Sequence, residues 1–285
     1  MSSARTAAQA ESGVLYLVST PIGNLGDMSR RAVAVLSSAA LIIAEDTRHS
    51  RRLLDHYRIE THLSSYHQHN EAKETPRLVA RLSAGDSIAL ISDAGTPLIS
   101  DPGSRLVSAA VEAGVPVVPI PGPSAVMAAL VASGMDLQRF TFFGFLPRKG
   151  RERTEALADI VASRATSVLF EAPGRVGATL EALVDAGAGE RAAVVARELT
   201  KQFEEFRRGT VADLASLYSS ADPKGEIVLV IAGTEKRVIT QHELTDAASE
   251  LRAAGKAPRD VMDHLVSALG APRNLAYKIA HEADS

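Results

Sequence analysis

The 285-residue sequence has no cysteine and no tryptophan. The first absence excludes disulfides, thiolate metal sites and cysteine nucleophiles, and it fits a cytoplasmic protein. Aromatic residues are scarce, at 4% of the chain against 46% hydrophobic, so Ala, Val, Leu and Ile carry the apolar content. Such a composition suits strands buried on both faces and close helix packing. No run approaches the roughly eighteen apolar residues of a membrane span, so none is expected. Residues 1–13 lack the apolar stretch of a signal peptide and read as a disordered tail. A strong positive charge is missing too. The formal net charge of −3 weighs mildly against a nucleic-acid partner, because phosphate contacts need Lys and Arg. The common nucleotide loops are also absent. Gly23 and Gly26 lack the first glycine of a dinucleotide fingerprint, and no Walker lysine follows a Gly-rich turn. A plain NAD enzyme or P-loop NTPase is thereby disfavoured.

What is present is alternation. Apolar runs at 14–18, 41–44, 62–66, 88–91 and 115–120 read as strands. Helix patterns lie between them, at 31–36 and 78–82 for example. Thr75 and Pro76 look like the N-cap and first turn of the latter. Asp101 and Pro102 look like the opening of another helix, which Gly114 closes. The pattern predicts an α/β domain with a mostly parallel sheet. The second half repeats the theme, with strands at 141–145, 167–170, 193–196 and 227–231. Its helices are expected at 153–161, 176–186 and 211–218. Prolines at 119, 121 and 123 mark the break between halves. After Gly233 the pattern is purely helical. Thr240 and Glu243 form a capping box, and further helices cover 261–269 and 275–279. The expected organisation is a tail (1–13), two α/β domains (14–121 and 122–235) and a helical module (236–285).

Each first-half strand is followed by a polar or Gly/Pro-rich loop, at 20–24, 45–49, 67–70, 92–97 and 121–124. In a parallel sheet such loops share the carboxyl edge, where α/β proteins bind ligands. These loops also carry a resemblance. LYLVSTPIGNLGD (15–27), AEDTRH (44–49), SYHQHNE (65–71) and SDAGTPLISDPG (92–103) resemble, in order, motifs of the small-subunit rRNA methyltransferases of the tetrapyrrole methylase superfamily. IPGPSA (120–125), SGM (133–135), GFLPRK (144–149), ARELTK (196–201) and GEIVLV (225–230) continue the series. One departure is FEAPGR at 170–175, where the family usually reads YESPHR. Glu171, Pro173 and Arg175 remain, while the Tyr hydroxyl and the His do not.

The resemblance implies a two-domain tetrapyrrole methylase fold with S-adenosylmethionine bound folded in the cleft between domains, in a homodimer. It implies methylation of a cytidine 2′-oxygen in the 16S rRNA of the 30S subunit. Carbon methylation of a tetrapyrrole such as a precorrin is one alternative; a non-catalytic ribosome-binding factor is another. Cofactor positions follow as Pro21, Ile22, Asp93, Ala94, Gly95, Thr96, Pro97, Ile99, Ser124, Ala125 and Glu171. At Gly95 the absence of Cβ lets the backbone approach a ligand. Ser124 and Ala125 begin a helix, whose amides face outward. Asp101 reads equally as a cleft residue and as an N-cap.

A ribose hydroxyl is a weak nucleophile, so a base or tight alignment is needed. Asp46 is the first candidate for the base, with Glu171, Glu198 and Lys201 as rivals. Surface ion pairing is the competing role for each. Arg148, Lys149, Arg151 and Arg153 form the densest basic run, beside Phe143 and Phe145, and suit phosphate binding. Arg48, His67, His69, Asn70, Arg175 and Arg197 are the other RNA-facing candidates, and Arg207 with Arg208 is a weaker copy. His67 and His69 share a strand face but lack companion ligands, so no metal is expected. Lys256, Arg259, Arg273 and Lys278 decorate the helical module, where they suit RNA or a dimer partner.

Overall fold

The computed structural model describes residues 10–220, 223–234 and 240–281. Most of the expected tail (1–9) and the edges of the expected helical module (236–239 and 282–285) lie outside the described residues. The chain divides into two compact units, Met1–Thr234 and Glu235–Ser285.

The first half of the larger unit is a five-stranded sheet. Its strands are β1 (Leu15–Val18), β2 (Leu41–Ala44), β3 (Leu63–Ser65), β4 (Ile88–Ile91) and β5 (Val117–Ile120). Between them run helices α1 (Arg30–Ser38), α2 (Thr47–His56), α3 (Glu71–Ser83) and α4 (Ser104–Glu112). The strand order is β3-β2-β4-β1-β5, all parallel. Both faces are covered. Tyr16, Val18, Ile42, Ala44, Ala89 and Ile91 pack on one side with Val35 and Leu36 of α1. Leu15, Leu41, Ile43, Ile88 and Leu90 pack on the other with Leu78 and Leu82 of α3 and Leu106 of α4. Double burial is why these runs read as continuous apolar stretches without alternation. Pro119, which has no N–H for a ladder, sits in β5 at the sheet edge, where it is tolerated.

Two helix starts differ from expectation. Helix α3 begins at Glu71, so Thr75 and Pro76 lie inside it. The His67–Asn70 turn launches it: the His67 N–H donates to Asn70 Oδ1 at 2.9 Å. Helix α4 begins at Ser104 with Gly103 as its cap, so Asp101 does not cap it. Leu98 (φ 71), Ser100 (φ 68) and Gly103 (φ 130) take left-handed conformations there. They wind residues 98–103 into a loop ahead of the helix.

The second half contains α5 (Ala125–Ser133), β6 (Phe140–Phe145), α6 (Arg151–Ala162), β7 (Thr166–Glu171), α7 (Val176–Leu183), β8 (Ala192–Arg197), β9 (Glu205–Thr210), α8 (Val211–Tyr218) and β10 (Ile227–Ile231). Its order is β6-β7-β10-β8-β9. This sheet is not a repeat of the first. Only β6 and β7 are parallel, and the other three pairings are antiparallel. Strand β9 departs from expectation, because EFRRGT has no apolar pattern. It is an edge strand paired only with β8, where charge protects an open ladder. Helix α5 covers one face of this sheet, and α6, α7 and α8 cover the other.

The smaller unit holds α9 (Gln241–Ala253), α10 (Pro258–Ser267) and α11 (Arg273–His281) around its own core of Leu244, Val261, Leu265, Ala276 and Ile279. The capping box forms as expected: the Thr240 side chain accepts from the Glu243 N–H, and the Glu243 side chain accepts from the Thr240 N–H.

Candidate active site

The five loops after β1 to β5 emerge at one edge, because a parallel sheet points every strand end the same way. Hydrogen bonds knit four of them together. Thr20 and Gly95 exchange backbone bonds, Thr20 N–H to Gly95 O at 2.9 Å and Gly95 N–H to Thr20 O at 3.0 Å. Thr20 Oγ1 donates to Ser92 O at 3.1 Å, and Thr96 Oγ1 donates to Pro123 O at 3.3 Å. The Asp46 N–H donates to Asp93 Oδ1 at 3.3 Å, tying the second loop to the fourth.

Between this edge and the second sheet lies a cleft of about 360 Å³, within the size range of small-molecule sites. The first half contributes Ile22, Ala94, Gly95, Thr96, Ile99, Ser100 and Asp101, and the start of α5 contributes Ser124, Ala125 and Val126. The second sheet brings Phe145, Phe170, Glu171, Ala172, Pro173, Leu199, Gly225, Glu226, Ile227 and Val228. Ladder register explains the second set: Ile227 pairs with Glu171 on β7 and with Arg197 on β8. The end of β7, the end of β8 and the start of β10 therefore meet at one place.

Eight of the expected cofactor positions line the cleft: Ile22, Ala94, Gly95, Thr96, Ile99, Ser124, Ala125 and Glu171. Pro21, Asp93 and Pro97 are not on its wall. Gly95 does not offer its amide, which donates to Thr20 O; its missing Cβ lets the loop close on Ile22. At φ 79, an added Cβ would stand 3.2 Å from Ile22 Cγ2. Ser124 caps α5, its hydroxyl accepting from the Met127 N–H at 3.4 Å. An apolar wall for a flat base, a helix N-terminus and the carboxylates of Asp101, Glu171 and Glu226 form a donor and acceptor set that fits S-adenosylmethionine.

The expected acid–base groups separate sharply. Asp46 is the N-cap of α2, its carboxylate accepting from Arg48 N–H at 2.8 Å and His49 N–H at 3.2 Å. Those bonds hold its pKa below the ordinary carboxylate value, and it is not on the cleft wall. That geometry suits a cap and not a base. Lys201 Nζ pairs with Glu198 at 2.8 Å and Glu226 at 3.1 Å. Burial alone would lower its pKa, but the bonds and charges of the two carboxylates outweigh that and raise it. The Lys201 hydrogen bond holds Glu198 low in turn. Both therefore stay charged and belong to a structural cluster. Glu171 is buried on the cleft wall, accepting from Thr179 Oγ1 at 2.6 Å and pairing with Arg175 Nε at 3.1 Å.

Asp101, which the sequence leaves divided between cleft and helix cap, belongs to the cleft. It lines that wall and also a small polar recess with Glu45, Tyr66 and Ser92. Its pKa is pushed up to about 6, first by burial and then by the negative charges of Glu45 and Asp93. The signal in the sequence is the repeated acid at 45, 93 and 101, each just beyond a strand end or its loop.

The RNA-facing candidates also divide. Arg148 and Lys149 are exposed. Arg151 pairs with Glu155 at 2.6 Å. Arg153 and Arg175 point inward, to the carbonyls of Leu146 and Pro147, so they brace the loop. Arg197 pairs with Glu205 at 3.3 Å. Arg48 lies near Asp46. Asn70 closes the turn before α3, donating to Ser65 O at 3.0 Å. His67 and His69 stand edge to face at 5.9 Å.

The profile of the family described as Tetrapyrrole (Corrin/Porphyrin) Methylases matches residues 14–215. A protein of Synechocystis sp. named Ribosomal RNA small subunit methyltransferase I is 45% identical over 276 residues, 96% of this chain and 99% of its own. A protein of the same name from Mesorhizobium japonicum is 52% identical over 224 residues, 78% of this chain and 76% of its own. The crystal structure of uroporphyrin-III C-methyl transferase from Thermus thermophilus complexed with S-adenyl homocysteine has the same fold. Its TM-score is 0.54 at 16% identity, covering 77% of this chain and 96% of that one.

Proposed function

We propose, from the premise that this chain belongs to the tetrapyrrole methylase family and within it to the ribosomal RNA small subunit methyltransferases I, that its acceptor is a cytidine 2′-hydroxyl of 16S rRNA. It is an S-adenosylmethionine-dependent rRNA methyltransferase. The 30S subunit is the form in which it meets that RNA, which implies a cytoplasmic enzyme. The observation that carries the reading is the half-buried Asp101 carboxyl on the wall of a cleft shaped for the cofactor.

S-adenosylmethionine supplies an electrophilic methyl group on a sulfonium centre. Ile22, Ala125, Val126 and Val228 provide the apolar wall, and Gly95, at a φ that favours glycine, lets its loop pack against Ile22. The proton lost by the ribose hydroxyl as its oxygen gains the methyl goes to the Asp101 carboxylate. Burial first, and then the charges of Glu45 and Asp93, make that carboxylate more basic than an ordinary one, which brings it closer to the working pH. Glu171 braces the opposite wall through Thr179 and Arg175.

The homodimer has its own support. Helix α5 is apolar all round, yet Met127 is 48% and Val131 69% exposed. A helix without a polar face is a buried helix, and a second copy is the partner that covers it.

The test is methyl transfer from labelled S-adenosylmethionine to unmethylated 30S particles. Label should appear in 16S rRNA and, after nuclease digestion, on the ribose of a cytidine. Label on a base, transfer only to a precorrin, or binding without transfer overturns the reading.

A further inference from the structure

Strand β6 changes face partway along. In a regular strand Phe143 and Phe145 would point the same way, opposite to Phe142. Phe142 packs with Phe170 on the α5 side of the sheet, while Phe143 packs into the core on the other side. The register shifts between Phe142, opposite Val168, and Phe145, opposite Phe170. Gly144 sits in the shift with φ 63. This bulge turns Phe145 to the same side as Phe142. Both rings contact Phe170, at centroid distances of 5.0 Å for Phe142 and 5.4 Å for Phe145. Bulges re-aim side chains next to functional sites.

The re-aimed ring is not buried. Phe145 is 58% exposed and lines the cleft. Its backbone is nevertheless firmly held. Leu146, next in sequence, is buried, and its carbonyl accepts from Arg175 Nη2 at 2.8 Å. The Pro147 carbonyl accepts from Arg153 Nη1 at 3.2 Å. Exposed Arg148 and Lys149 follow at once. A solvent-facing aromatic on a braced support, beside a cofactor cleft and two cations, has the elements of a single-strand nucleic-acid site. Bases stack on the ring while phosphates meet the charges.

We infer that Phe145 is the stacking platform for a nucleobase of the substrate, the target base or its immediate neighbour, presented at the cleft mouth. The inference rests on the RNA reading above. An enzyme that draws the target nucleotide out of its stack gives up base stacking, and an aromatic surface replaces it. A rigid platform makes that replacement without an ordering cost on the protein side.

The test compares Phe145→Leu, which keeps an apolar side chain but loses the flat ring, with Phe145→Tyr, which keeps the ring. Steady-state methylation of 30S particles should show the Leu variant with KM raised about 5- to 150-fold, the range for losing one stacked base. The Tyr variant should stay within a few-fold of the parent. Calorimetric affinity for S-adenosylhomocysteine should be the same in all three, which also reports that they fold. Equal KM for the Leu variant and the parent overturns the platform. So does a loss of cofactor affinity that accounts for the change, since Phe145 would then be a cofactor wall. If the parent itself methylates no 30S RNA, the functional reading fails first, and the two failures are distinguishable.

Discussion

The Lys201 side chain lies across Gly23, so that a Cβ on Gly23 would stand 2.3 Å from Lys201 Cγ and 3.1 Å from Leu199 O. The loop after β1 thus closes on the loop after β8, and the Lys201 ion pairs with Glu198 and Glu226 hold the second loop in place. Gly23→Ala should push Lys201 and Leu199 aside. The expected cost is about 1–3 kcal/mol, the range for overpacking a tight contact, measurable by urea unfolding. Cofactor affinity should fall with it, because Leu199 lines the cleft.

Asp101 should control the pH profile. Its carboxyl is charged only above about 6, so single-turnover methylation should rise with pH through that value and then level. Asp101→Asn should lose the inflection and turn over roughly 10²–10⁴-fold more slowly, as expected for a general base. A parent profile flat from about pH 5 to 8 would remove Asp101 from proton transfer.

Stability carries the opposite sign. The folded pKa of Asp101 lies above its ordinary value of 3.8, so folding favours the protonated form. The parent gives up stability as pH rises from about 4 to 6, and the penalty is complete above that. Asp101→Asn removes it. The thermal midpoint of the variant should exceed that of the parent at neutral pH and converge with it below pH 3.8.

Asp46 should behave as a cap. Asn caps as well as Asp, so Asp46→Asn should keep turnover within roughly three-fold, far from the loss of a general base. Asp46→Ala removes the acceptor for the Arg48 and His49 amides and should lower the thermal midpoint. Since the folded pKa is depressed below 3.8, that contribution is present above the unfolded value and disappears as pH falls through the folded one. A large loss of turnover in a folded Asn variant would restore Asp46 as a catalytic group.

The basic segment should split in two. Replacing Arg148 and Lys149 with Ala should weaken 30S binding, because two phosphates then keep their counterions. The slope of log affinity against log salt should flatten by roughly 1.4–1.8. Replacing Arg153 or Arg175 should instead lower stability, because their guanidinium groups bond the Leu146 and Pro147 carbonyls. Equal slope changes from both pairs would contradict the division.

The sequence by itself determined the first sheet and its active edge. Runs such as LIIA and IALI are apolar at every position because both faces of β2 and β4 are buried, and parallel pairing then collects the polar loops at one edge. Gly95, Ser124 and Glu171 were legible because their motifs keep family order. Tertiary structure alone decided three other matters. The polar strand β9 became visible only through its pairing with β8, since an edge strand need not be apolar. The places of Asp46 and Asp101 were also decided there: Asp46 caps α2 and Asp101 lines the cleft, because a carboxylate's surroundings depend on what it touches. Two backbone amides hold the first, while burial and two like charges press on the second. Phe145 gained its place at the cleft from a single bulge at Gly144. Residue type says nothing of which way a ring faces; that is settled by strand register, which forms only when β6 meets β7.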